Sequence, residues 1–177
     1  MIGRNSAAAA SVTCEADRLD RLRACLAATT PLVRGIAVTD ERIGDSQTAY
    51  ALDLHAFEIA VEAVLFFEAV GKTGLVDTGE MHSLAGPALE ATASLRRSVG
   101  QSLGRLTASG EEKNDVLGSL RSLSEILEEV GSRLESLCRS LIITELCSMT
   151  LSLRARRGED GSKAYLPQSR RTSGHRA

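Results

Sequence analysis

The chain has 177 residues, of which 43% are hydrophobic, 25% charged and 3% aromatic, with no Trp. This is the size and make-up of one globular domain, and so few aromatic residues argue against a β-sandwich or barrel, whose strands favour aromatic and β-branched residues, and against binders that stack bases on aromatic rings. The formal net charge of −2 hides a division, with residues 1–153 carrying −7 and residues 154–177 carrying +5.

Residues 1–12 read as a disordered N-terminus. Their single Arg, with several Ser and Ala and no acid before Glu15, has only part of the composition of an organellar transit peptide. A first helix is expected from Thr13, whose hydroxyl can cap it, with Glu15 and Asp17 in the first turn where the helix dipole favours acids. Leu19, Leu22, Leu26, Thr29, Val33 and Ile36 then recur at steps of three and four, with Pro31 as an interruption or kink. A polar loop follows over 40–45.

The second helix is expected over about 47–70, ended by Gly71 and Gly74. It is apolar over most of its circumference, which predicts the most buried helix, with Tyr50, Leu54, Phe57, Val61, Val64 and Leu65 as its core positions. Four glycines in 71–86 predict a connector with a short turn over 80–84. Pro87 suits the first turn of a third helix running to about Ala108 through Leu89, Leu95, Val99, Leu103 and Leu106. Gly100 and Gly104 within it suggest close approach by another helix.

Ser109 and Glu112 have the spacing of a capping box, and Asp115 offers a later start for the fourth helix. Val116, Leu120, Leu123, Leu127, Val130, Leu134, Leu137 and Leu141 alternate steps of four and three. This is the strongest periodic signal in the chain. After Leu141 the phase slips by one residue, to Ile142, Leu146, Met149 and Leu153, in the manner of a stutter. The helix is expected to end near Arg157, making it roughly 60 Å long at 1.5 Å per residue. Its flanks carry small and apolar residues such as Ser119, Ile126 and Gly131 rather than the Glu and Lys of a free two-stranded zipper, which favours the interior of a bundle.

The chemical motifs are incomplete. Gly71-Lys72-Thr73 lacks the upstream glycine of a phosphate-binding loop, since Phe66 stands there. His55, Glu58 and Glu62 reverse the Glu-x-x-His order of metal-binding bundles, and no second copy exists. Cys14, Cys25, Cys138 and Cys147 form no C-x-x-C pair, so thiols packing as small hydrophobes are expected rather than zinc. No nucleophile elbow is present, and the sequence predicts neither catalytic residues, nor a cofactor, nor a metal. No segment of 18 uninterrupted apolar residues exists, so no membrane span is expected.

The fold expected is all-α, a four-helix antiparallel bundle with a long, coiled-coil-like last helix and disordered termini. It divides into residues 1–12, a bundle over 13–157 and a basic tail over 158–177. The function expected is a non-enzymatic helical protein–protein interaction or assembly module. Its partner would be another protein or a second copy, met through the last helix at Ile142, Leu146, Met149 and Leu153. The alternative is a regulatory or ligand-binding helical domain, such as an effector domain of a transcription regulator, marked by a cavity beside Phe57, Phe66 and Phe67. The basic tail offers a phosphorylation site at Ser173, which follows Arg170 and Arg171, and salt-sensitive, non-specific contact with nucleic acid. The expected location is intracellular, cytoplasmic or nuclear, with organellar targeting as the alternative.

Overall fold

The structure is a computed structural model that describes residues 3–38, 46–73, 78–108 and 115–163, with side chains over 15–36, 46–71, 81–108 and 115–155. All of these residues lie in four α-helices: α1 (Gly3–Val38), α2 (Ser46–Thr73), α3 (Thr78–Ala108) and α4 (Asp115–Lys163). Around the bundle the order is α1, α2, α4, α3. Among the described residues α1 touches α2 and α3, α4 touches α2 and α3, and neither diagonal pair touches.

Successive helices run antiparallel, so neighbours that are not consecutive run parallel. The late-helix pair Ser102 and Val33 shows this for α3 and α1, where the Ser102 hydroxyl donates to the Val33 carbonyl at 3.1 Å. Arg96 of α3 meets Glu128 of α4 at 3.1 Å, in opposite directions. Arg133 of α4 stands 5.6 Å from the centre of the Phe67 ring of α2, and Ser46, Asp53, Asp115 and Arg121 line one groove at the start of both helices. Thus α2 and α4 run side by side in the same direction.

The core follows one spacing throughout. Buried positions advance by alternating steps of three and four: Leu19 to Ile36 in α1, Ala49 to Phe66 in α2, Met81 to Leu106 in α3, and Val116 to Leu141 in α4. The Leu-rich helices α1 and α4 occupy one diagonal. The other two carry small residues in the core, Ala49, Ala56 and Ala63 at alternating core positions of α2 and Ala85, Ala88 and Thr92 at consecutive ones of α3. The core thus mixes leucine-rich faces with faces that carry small residues, a combination that lets helices approach to interior packing density.

Several expectations are corrected. Helix α1 begins at Gly3 rather than Thr13, and Ala7 to Ala10, the strongest helix formers, carry it through residues expected to be disordered. It also passes through Pro31 to Val38. Helix α3 starts at Thr78, so most of the expected connector is helix and Pro87 lies inside it. The buried Met81, Ala85 and Ala88 show why: core contacts outweigh the local cost of Gly79, Gly86 and Pro87. The expected close approach at Gly100 and Gly104 is absent, since a Cβ added at either would meet nothing within 4 Å. Helix α4 starts at Asp115 and is one continuous rod of 49 residues, extending past Arg157 to Lys163. The capping-box residues and Ser173 lie outside the described residues.

The largest correction concerns α2. Its expected core face is its outer face, with Tyr50 71% and Phe57 65% exposed, and Leu54, Val61, Val64 and Leu65 exposed with them. The face turned inward is Ala49, Leu52, Ala56, Ile59, Ala63 and Phe66. At 100° per residue the two faces point about 150° apart, so α2 carries two apolar seams and only one is used by the bundle.

Candidate functional site

The eight seam residues of α4 from Val116 to Leu141 are all buried. From Ile142 to Ala155 every residue is exposed. The cause is the length of the neighbours. Pairing Arg133 with Phe67, and Arg121 with Asp53, puts the end of α2 beside about residue 140 of α4. The phase slip after Leu141 thus coincides with the point where the bundle ends. Ile142, Leu146, Met149 and Leu153, expected to contact a partner, form one stripe on this projecting section, with Ile143 a quarter-turn and Leu151 about half a turn round the helix from it.

All twelve exposed large hydrophobic side chains among the described residues belong to two patches, six on the outer face of α2 and six on projecting α4. Scattered apolar side chains on a surface need no explanation, but contiguous patches of this kind mark interaction sites. The charges around the two patches differ. Between residues 46 and 71, α2 carries Asp53, Glu58, Glu62 and Glu68 and no Lys or Arg. The projecting stripe is followed at once by Arg154, Arg156 and Arg157. The sequence signalled the α4 stripe through its broken phase. The α2 patch was visible as a second regular seam but was assigned to the interior.

Within the section of α4 from Asp115 to Ala155, one 18-residue window is long and apolar enough to cross a membrane, and 11% of it is buried. Arg139 and Glu145 interrupt the apolar run around Ile142.

Between α2 and α4 a groove of about 300 Å³ is lined by Ala63, Val64, Phe67, Ile126, Val130 and Arg133. The Arg133 guanidinium stacks over Phe67 and pairs with Glu129 at 2.6 Å. Phe66 is not part of this groove: it is fully buried, its ring 5.1 Å from that of Phe67.

The titratable cluster of α1 and α2 does not assemble a reactive centre. His55 Nδ1 stands 3.3 Å from Glu58 Oε2 without hydrogen-bond geometry, and buried Glu62 Oε2 has no hydrogen-bond partner. The nearby Cys25 thiol is pushed up, first by burial and then by the negative charges of Glu58 and Glu62. Burial also pushes the Cys138 thiol up. A raised pKa leaves less thiolate at neutral pH, the opposite of an activated nucleophile. A short iodoacetamide pulse near neutral pH, read by peptide mass spectrometry, is therefore expected to label exposed Cys147 well ahead of Cys25 and Cys138. Equal labelling of all three would contradict these environments. Among the described residues no three His, Cys, Asp or Glu side chains gather so as to hold a metal ion.

No protein-family model matches the chain, and no curated protein or solved structure shows significant similarity to it.

Proposed function

We propose that this protein is a non-enzymatic helical interaction and assembly module that binds another protein or a second copy of itself. One observation carries this reading: its exposed large hydrophobic side chains are gathered on the outer face of α2 and on the projecting end of α4. The buried core runs along the opposite face of α2 and stops at Leu141, and an apolar stripe left in water calls for a covering surface. Helix α4 serves both tasks, its first part as core and its last part as a coiled-coil-like docking element. The basic tail would add salt-sensitive contacts, and the location in keeping with the unpaired thiols of Cys25, Cys138 and Cys147 is intracellular.

The test is light scattering coupled to size exclusion on the full chain, on a form ending at Arg157, and on a Leu146→Asp/Leu153→Asp variant. The expected result is a species larger than the monomer that survives removal of the tail. It is lost in the double variant, whose helical circular dichroism stays unchanged. If the double variant keeps oligomeric state, solubility and partner binding intact, the reading fails.

The groove at Phe67 favours a second reading, a regulatory or ligand-binding helical domain such as an effector domain of a transcription regulator. Its apolar floor would suit a small flat apolar ligand, with Glu125 and the paired Glu129 and Arg133 at its edge. It is open along one side and at the low end of ligand-site volumes, and it supports this reading less strongly than the two patches support assembly.

A further inference from the structure

We infer that the two apolar patches are each other's partners: residues 142–153 of α4 in one copy lie antiparallel along the outer face of α2 in a second copy, and reciprocally. This rests on the assembly reading above and names its occupant. Three features of the chain single out this pairing.

The first is spacing. The stripe Ile142, Leu146, Met149, Leu153 advances by four, three and four, and the α2 seam advances by four, three, four and three from Tyr50 to Val64. Run antiparallel, Ile142 falls at Val64 and Leu65, Leu146 at Val61, Met149 at Phe57 and Leu153 at Leu54. Ile142 to Leu153 and Leu54 to Leu65 are each 11 helical steps, about 17 Å, and Tyr50 lies one turn beyond the matched stretch. Alternating steps of four and three are what keep a seam facing its partner along two packed helices.

The second is charge. In the same register Arg154 stands level with Asp53, an opposite charge beside the apolar contact. Pairing α2 with α2 would instead set Asp53, Glu58 and Glu62 against their own copies. Pairing projecting α4 with itself would leave the α2 face in water. Complementary potentials select among such alternatives more strongly than apolar area does.

The third is reach and area. Because α4 passes the end of α2 near residue 140, its stripe is carried clear of its own bundle and cannot fold back onto its own α2. Half-exposed large side chains offer on the order of 100 Å² each, and two reciprocal contacts would hide roughly 800 Å² per copy, the amount found in stable dimers. Such an exchange gives a two-fold dimer in which α4 meets α2 and α2 meets α4.

Complementation tests this pairing. Phe57→Asp spoils only the α2 face and Leu146→Asp only the α4 stripe, and both positions are exposed, so the fold is expected to persist. Sedimentation equilibrium is expected to show a dimer for the full wild-type chain and monomers for each variant alone. An equimolar mixture of the two is expected to contain a dimer weaker than wild type, since one copy keeps an intact α2 face and the other an intact α4 stripe. In parallel, Asp53→Arg and Arg154→Asp should each weaken the dimer roughly tenfold and together restore it. Failure of the mixture and of the charge exchange to restore association overturns the inference. If Leu146→Asp alone dissociates the dimer and Phe57→Asp does not, α4 pairs with itself: the inference fails while the assembly reading stands. A wild-type chain that stays monomeric and binds vesicles containing phosphatidylserine through residues 142–153 also overturns it, in favour of a membrane surface. A monomer whose α2 and α4 variants change neither association nor binding overturns both.

Discussion

Replacing Phe66 by Ala should cost about 3–5 kcal/mol of folding stability, whereas Phe57→Ala, nine residues earlier on the same helix, should cost less than about 0.5 kcal/mol. The two residues are chemically identical and differ in what surrounds them. Phe66 is wholly buried on the inner face of α2 with Ile59 and Ala63, and its ring is tilted against that of Phe67 at an interplanar angle of 58°. Removing its ring deletes burial worth a few kcal/mol and leaves a cavity that rigid helices close poorly. Phe57 loses little because its ring is 65% exposed. Urea unfolding followed by circular dichroism, at a protein concentration low enough for the monomer to dominate, reads both effects as shifts of the midpoint at constant slope. A domain of this kind is stable by about 5–15 kcal/mol, so the Phe66 variant forfeits a large share. Comparable losses at both positions would mean that α2 faces the other way.

That pair of variants also bears on what can be read from sequence. The seam of α4 was legible because no second regular seam competes with it: from Val116 to Leu141 one stripe is unbroken, and the apolar residues off it, Leu117, Ile126 and Cys138, form no stripe of their own. The seam of α1 was legible for the same reason. Helix α2 defeats this logic because two regular stripes share its surface. Hydrophobicity favours the wrong one, since Tyr50, Leu54 and Phe57 are larger than Ala49, Ala56 and Ala63. What decides is volume. Between the leucine-rich faces of α1 and α4 the bundle takes the smaller stripe, in which Ala49, Ala56 and Ala63 alternate with Leu52, Ile59 and Phe66. Periodicity gives the stripes, and the facing helices choose among them. Residues 78–86 failed differently, because glycine and proline were weighed as breakers while their neighbours supplied enough core contact to hold a helix. The α4 part of the candidate site was legible as a broken phase. Its α2 part became legible only once the core had been assigned.

Glycine gives the second large effect. Gly100→Ala together with Gly104→Ala should stabilise the chain by up to about 2 kcal/mol, raising the melting temperature by roughly 4–8 °C. Spaced by four residues, the two glycines suggest a backbone brought close to another helix. In the structure they lie on the exposed side of α3, and a Cβ at either position meets nothing within 4 Å. Alanine there would add no clash and would remove the conformational freedom that glycine retains in the unfolded chain. Gly131 offers a contrast. It sits at the contact of α3 with α4, where a Cβ would come 3.6 Å from Thr92 Cγ2, an ordinary contact distance. Gly131→Ala should therefore be accepted as well. Its gain should be close to that of one exposed glycine, about 0.8–1 kcal/mol from helix propensity, because the added methyl meets one neighbour and displaces none. Thermal unfolding of the Gly100→Ala/Gly104→Ala variant separates two cases. A rise in melting temperature means that this face of α3 is open in the folded chain. A fall means that another surface packs against it more closely than a methyl group allows.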